Sequence, residues 1–332
     1  MRVLVLAPFS SESLEELREE AEVIHESWLE TGVIQDPEEL GERLRSDGFD
    51  AVVVEADFLL AETFSRAPRL RFAGICRSAT NQIDTEAATK LGIAVVNTPG
   101  RNANAVAEHT LALMLAVSRR VAEADKFVRG RRWELPTQPY TRLRGVELGG
   151  KTVGIVGLGA IGRRVAELCN GFDMNVLAYD PLVTPRQAQD AGAVWSDLPL
   201  LLESSDFITL HAPPLPGGTL LLDSALMARI KEGAFLINTA SADLVDHATL
   251  VRMLQTGTLG GAGLDIFRTH PVEPSDPLLD LENVVLTPHI AGATEDTVAR
   301  HSASMAVDLI RFKAGKRPFN MVNSEVWEHR RE

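Results

Sequence analysis

An α/β chain built on two doubly wound parallel sheets is the architecture this sequence predicts, and three observations carry the prediction. Short β-rich runs alternate with helical stretches from the first residues onward; the alternation restarts at residue 152 after a helical interval; and a last helix has no strand after it. Such alternation calls for parallel strands, because these need helical crossovers where antiparallel ones need only turns. In the first series RVLVL, EVIH, AVVV, RFAGIC and AVVN read as strands, separated by SLEELREE, PEELGERLR, a further helical segment and TEAATKLG. In the second, TVGIVG (152–157), NVLAYD (175–180), DFITLH (206–211), AFLIN (234–238), GAGLD (261–265) and NVVLTPH (283–289) read as strands. Between the series, AVAEHTLALMLAVSRRVAEADKFV predicts a long buried helix followed by an amphipathic one. The closing TEDTVARHSASMAVDLIRFKAG is helical and is expected to pack back on the first unit.

The totals narrow the class. With 332 residues, 45% apolar and 24% charged, the chain has the make-up of a folded protein with room for two cores. A net charge of −13 argues against a nucleic-acid or anionic-membrane surface, since RGRR at 129–132 is the one basic cluster and reads as a solvated or subunit-contact patch. Cys76 and Cys169 match no metal or redox spacing, so free thiols in a reducing, cytoplasmic setting are expected. No apolar run approaches the roughly twenty residues of a membrane span, and MRVLVLAPFS reads as a first strand, not a leader.

The strand TVGIV runs into Gly157-Leu158-Gly159-Ala160-Ile161-Gly162 and then a helix. That context makes the glycine pattern a dinucleotide fingerprint. Gly157 permits the tight turn, Gly159 lets backbone approach a pyrophosphate, Gly162 allows close helix packing, and the helix N-terminus faces phosphate charge. Asp180 lies eighteen residues beyond Gly162 at the next strand's end. A carboxylate there takes both ribose hydroxyls and repels a 2′-phosphate, so NAD is expected over NADP. Elsewhere AFLIN delivers Asn238, Thr239, Ala240 and Ser241 to a loop, with Asp246 as N-cap of the next helix, which places small polar residues at the mouth of an α/β pocket.

Over essentially its whole length the chain resembles the D-isomer-specific 2-hydroxyacid dehydrogenases, through GKTVGIVGLGAIGRRVA, YDP (179–181), LHAPPLP (210–216), FLINTA (235–240), AGLDIF (262–267) and NVVLTPHIAGAT (283–294). The resemblance implies a flavodoxin-like substrate domain from both chain ends, 1–100 and 291–332. It also implies a Rossmann NAD domain, 101–290, with a helical dimer arm at about 119–145 and the active site in the cleft between the domains. A homodimer follows, with hydride transfer between NAD and a small polar D-2-hydroxy acid or its 2-oxo acid. Family members use an arginine to bind and polarise the oxo acid, a histidine as acid/base and a glutamate bonded to that histidine. His289 matches the histidine, whereas Ser241 stands in the arginine's place and His270 in the glutamate's.

The expected catalytic set is therefore His289, His270 and Ser241. His211, Ala212, Asn238, Thr239, Ala240, Asp265, His289 and Gly292 are expected to line the cofactor beside Gly157, Gly159, Ala160, Ile161, Gly162 and Asp180. Arg77, just past a buried strand of the first domain, is the expected substitute cation for the substrate carboxylate, with Ser78, Ala79 and Thr80 supplying amides and a hydroxyl. A surface ion pair is the alternative for Arg77, and Arg101 is the second candidate, at a crossover suited to a structural salt bridge. Cys76 reads as a buried strand thiol. A metal site on His270, His289 and Asp265 has no supporting spacing, and none is expected. Two further functional readings stay open: an NAD(H)-binding regulatory or interaction protein that has lost catalysis, and a dehydrogenase for a polyhydroxylated acid such as a sugar acid.

Overall fold

The computed structural model describes all residues except Arg132 and Glu332, so one arginine of the RGRR cluster, within the expected arm at 119–145, lies outside the described residues. The chain divides into two compact units, Met1–Arg101 with Thr294–Glu332, and Asn102–Ala293. The first boundary has a physical reason: Arg101 belongs to the first unit because its guanidinium pairs with Glu55 at 2.8 Å and its carbonyl accepts from Arg300 Nε at 2.8 Å. Among the described residues no helix is long and apolar enough to cross a membrane.

The first unit holds β1 (Arg2–Val5), β2 (Glu22–His25), β3 (Ala51–Val54), β4 (Phe72–Ile75) and β5 (Ala94–Val96), all parallel in the order β2-β1-β3-β4-β5. Strands β3, β4 and β5 are apolar throughout because both faces are covered, whereas β2, at the sheet edge, carries Glu22 and His25. Leu4, Val52, Val54 and Ile75 go to one core, while Val3, Val5, Val53 and Phe72 go to the other, the alternation that a pleated strand imposes. The second core is closed by the helix Glu295–Lys313 through Met305, Leu309 and Phe312. Gly74 makes that approach possible, since a Cβ there would sit 2.6 Å from Met305 Sδ.

The second unit holds β6 (Thr152–Val156), β7 (Asn175–Tyr179), β8 (Val194–Trp195), β9 (Phe207–Leu210), β10 (Phe235–Asn238), β11 (Gly261–Leu264) and β12 (Val284–Leu286). All pair in parallel, in the order β12-β11-β10-β9-β6-β7-β8. The strand order reverses between β6 and β9, and crevices at such switch points take ligands at the carboxyl ends of the strands. β8 is absent from the sequence reading, because a two-residue exposed edge strand leaves no periodicity to find.

The helix Ala103–Ser118 lies against β11, and the GAGL sequence of that strand explains how closely. A Cβ on Gly263 would be 2.8 Å from Leu113 Cβ, and one on Gly261 would be 2.7 Å from Val117 Cγ2. Two glycines thus admit the helix. Arg120, left-handed at φ 55°, separates it from the amphipathic helix Val121–Arg129.

Candidate active site

The glycine loop opens where β6 ends. Gly157 has φ +96°, and a Cβ there would lie 2.7 Å from the Ala212 nitrogen, so only glycine fits between β6 and the chain after β9. At Gly162 a Cβ would collide with the Gly157 carbonyl oxygen, which ties the helix Ala160–Gly171 tightly to the turn. Gly159 is the opposite case. Nothing lies within 4 Å of its Cβ position, and the helix it opens has no side-chain cap, so amides at this N-terminus face open space. An anion fits there, as the pyrophosphate of a dinucleotide requires. Asp180 is tied to the same loop, its Oδ2 accepting from the Leu158 amide at 2.8 Å and its Oδ1 from the Leu182 amide at 2.8 Å. Across the switch point, His211 Nε2 lies 2.8 Å from Thr209 Oγ1, and burial pushes its imidazole down to about 3, so the ring beside Ala212 is neutral.

The 238–241 loop is held by its own first residue. Asn238 Oδ1 accepts from the amides of Ala240 (3.0 Å) and Ser241 (3.2 Å), and its Nδ2 donates to the Ser241 carbonyl at 2.7 Å. Thr239 Oγ1 is 3.2 Å from Thr110 Oγ1 on the helix Ala103–Ser118. Ser241 is 7% exposed, and its Oγ accepts from the Asp243 amide at 3.2 Å, capping the short 3-10 turn Ala242–Leu244. The hydroxyl oxygen of Ser241 thus serves a turn, where a serine does what an arginine cannot.

His289 follows β12 and has φ 57°, unusual for a residue with a Cβ. Its amide donates to the Asp265 carbonyl at 2.9 Å. Both it and His270 are exposed in this chain, with ring centroids 5.1 Å apart at 44°. Asp265, expected to contact the cofactor, is fully buried. Its Oδ1 accepts from Thr287 Oγ1 (2.6 Å) and the Ile290 amide (2.9 Å), and its Oδ2 from the Ala291 amide (2.8 Å). The carboxylate therefore shapes the loop that presents His289, through the three donors that close round it. Gly292 packs beside Asn102, whose Nδ2 would be 3.0 Å from a Cβ at that position. The sequence reading missed His109, whose Nε2 lies 3.0 Å from Thr287 Oγ1; its signal was the polar run Glu108-His109-Thr110 interrupting an otherwise apolar helix.

In the first unit, the Arg77 carbonyl accepts from the Thr98 amide at 2.9 Å while its side chain is exposed. Partial desolvation lowers the guanidinium pKa; Glu55 opposes that fall and Arg101 adds to it. Ser78 Oγ accepts from the Gly100 amide at 3.1 Å, the Thr80 carbonyl accepts from the Ile83 amide at 2.9 Å, and Ala79 is exposed. Arg101 is structural, bonded through Nη1 to Glu55 and, at 2.9 Å, to His301 Nδ1. Cys76 is fully buried, which raises its thiol pKa well above the ordinary range.

A doubly wound sheet with an open glycine loop at its switch point and a carboxylate at the end of the next strand defines a dinucleotide-binding domain. Residues 111–291 match the D-isomer specific 2-hydroxyacid dehydrogenase, NAD binding domain. The chain is 41% identical over 278 residues to a glyoxylate reductase of Korarchaeum cryptofilum, covering 83% of each protein. It superposes on the TT0316 protein of Thermus thermophilus with TM-score 0.83 and 35% identity, covering 97% of this chain and 100% of that one. It also superposes on an acyclic imino acid reductase in complex with NADPH and D-arginine, with TM-score 0.81 and 27% identity, over 97% and 100% of the chains. The chain belongs to the D-isomer-specific 2-hydroxyacid dehydrogenase family and is an NAD-dependent dehydrogenase/reductase.

Proposed function

We propose that the chain interconverts a small 2-oxo acid and its D-2-hydroxy acid, with glyoxylate the first substrate to test and His289 as the acid/base. The observation that carries this reading is the 287–291 loop, where a buried carboxylate holds an exposed histidine in a left-handed backbone beside a second imidazole. A bound nicotinamide supplies or accepts the hydride. The chain's part is to hold a proton at His289 for the oxygen that becomes the hydroxyl, and to receive it again on oxidation. Arg77 is the proposed anchor for the substrate carboxylate, flanked by Ser78, Ala79 and Thr80. An exposed guanidinium with no ion pair among the described residues suits a bidentate carboxylate. Asp180 is the proposed ribose ligand, favouring NAD over NADP.

The glyoxylate reductase relative supports a small acid as substrate. Val121, Val128, Trp133, Leu135 and Tyr140, all more than half exposed, support the homodimer arm, and two buried free thiols suit a reducing cytoplasm. A second reading rests on Ser241, which brings no cation, and on the neighbour named an imino acid reductase. A protonated C=N carries its own charge and needs no arginine to polarise it.

The deciding experiment follows NADH oxidation with glyoxylate, pyruvate and longer polar 2-oxo acids, each with and without ammonium, in wild type and His289→Asn. Turnover of the free acids, cut about a hundredfold or more in the variant, supports the first reading. Turnover with ammonium alone supports the second. Tight NADH binding with no turnover anywhere leaves a binding protein and sinks both.

A further inference from the structure

We propose that His109 is a positioning residue for His289, acting through Thr287 and Asp265; this rests on the acid/base reading of His289. The direction of each bond follows from the count of hydrogens. Thr287 has one hydroxyl hydrogen, and Asp265 Oδ1, a carboxylate acceptor 2.6 Å away, takes it. Thr287 Oγ1 therefore accepts at its other contact, and His109 Nε2, at 3.0 Å, is the donor. His109 Nε2 is also 3.7 Å from Asp265 Oδ1, so the ring bears on the same carboxylate directly. That carboxylate gathers the amides of Ile290 and Ala291, while the Asp265 carbonyl takes the His289 amide. Residues 287, 289, 290 and 291 thus converge on Asp265, and His109 closes the arrangement from outside the loop.

The helix carrying His109 is itself placed by the sheet. Leu113, one turn further along, packs where Gly263 of β11 has no side chain, only two residues before Asp265. The next residue after His109, Thr110, donates to the Val106 carbonyl at 2.8 Å and so accepts from Thr239 Oγ1, which ties the 238–241 loop to the same turn. Two consecutive helix residues therefore register both loops against one rigid element. A loop histidine in a disfavoured backbone region keeps its geometry only when its surroundings over-determine it, and misplacement by an ångström costs orders of magnitude in rate.

The test uses the whole enzyme with NADH and its best 2-oxo acid. His109→Leu is expected to lower kcat at least tenfold and to change the pH profile of kcat/KM, with KM and NADH affinity within threefold of wild type. His109→Gln keeps an N–H donor near the Nε2 position and is expected to restore kcat to within threefold. If His109→Leu fails to fold, Thr287→Val removes both links at similar volume and is expected to show the same kcat loss. A His109→Leu enzyme within twofold of wild type with a superposable profile overturns the proposal, as does an equal loss in His109→Leu and His109→Gln. Activity retained in His289→Asn overturns the acid/base reading and this proposal with it. Loss in His289→Asn with wild-type behaviour in His109→Leu overturns this proposal alone.

Discussion

Asp180 and Leu158 are joined by a 2.8 Å hydrogen bond, the amide of the glycine loop donating to the carboxylate at the end of the neighbouring strand. The acid that is proposed to read the ribose thus also fixes the loop that is proposed to cradle the pyrophosphate. Asp180→Ala is expected to weaken NADH binding about ten- to a hundredfold, the value of a charge-assisted hydrogen bond of roughly 1.5 to 3 kcal/mol. It should also narrow the advantage over NADPH, because a repulsion against the 2′-phosphate disappears. Fluorescence titration with both cofactors checks this. Unchanged affinities for the two would remove Asp180 from the ribose site.

Arg77→Met keeps most of the side-chain length and removes the charge. If the guanidinium holds the substrate carboxylate, kcat/KM for the 2-oxo acid should fall about ten- to a hundredfold, while NADH affinity stays the same. Steady-state kinetics beside a cofactor titration separates the two quantities. A loss under threefold would show that Arg77 is a surface cation, and Arg101 offers no substitute, being held by Glu55 and His301.

What was legible in the sequence was what neighbouring residues decide among themselves. The turn at Gly157, the open Gly159 and the packed Gly162 follow from one short segment, because a strand, a turn and a helix N-terminus are local. The helix Ala103–Ser118 announces itself by its continuous apolar run. Side-chain destinations were less legible. His109 and Thr287 are 178 positions apart, and nothing near either shows that they meet. Asp265 sits at a strand's carboxyl end, where a carboxylate facing a ligand and one facing its own loop have the same sequence.

Ser241 gives a sharper test of that distinction. As a cap whose Oγ accepts the Asp243 amide, it should cost stability and little else when replaced by alanine. Ser241→Ala is expected to lower unfolding free energy by about 1 kcal/mol, with kcat/KM within threefold of wild type. Chemical denaturation and steady-state assays measure the two. A large loss of kcat in a protein of unchanged stability would return Ser241 to the reacting atoms.

The acid limb of stability is expected to report on His211. Burial holds its folded pKa down at about 3, whereas the unfolded imidazole titrates near 6.5. Between these values the unfolded chain binds a proton that the folded chain refuses, so unfolding free energy rises with pH across the window and is lost on acidification below about pH 6.5. The steepest contribution from one such group is about 1.4 kcal/mol per pH unit. His301 is also buried, and desolvation, the largest influence on it, likewise lowers its pKa, so it acts in the same direction. Carboxylates such as Asp206, where burial, the largest single influence, raises the pKa but Lys231 and the Thr152 amide together lower it below its ordinary value, lose their contribution at lower pH. Asp57, whose carboxyl pKa burial raises, runs the opposite way above its ordinary range, so the rise of stability with pH between about 4.5 and 6.5 belongs mainly to the two histidines. His211→Gln keeps a hydrogen-bonding group for Thr209 and does not titrate, so its slope in this window should be shallower than wild type's. Denaturant unfolding at half-unit pH steps for both proteins makes the comparison. Parallel curves from pH 6.5 to 4.5 would mean that His211 takes up its proton without unfolding the chain, and that the site beside the glycine loop is wetter than its burial implies.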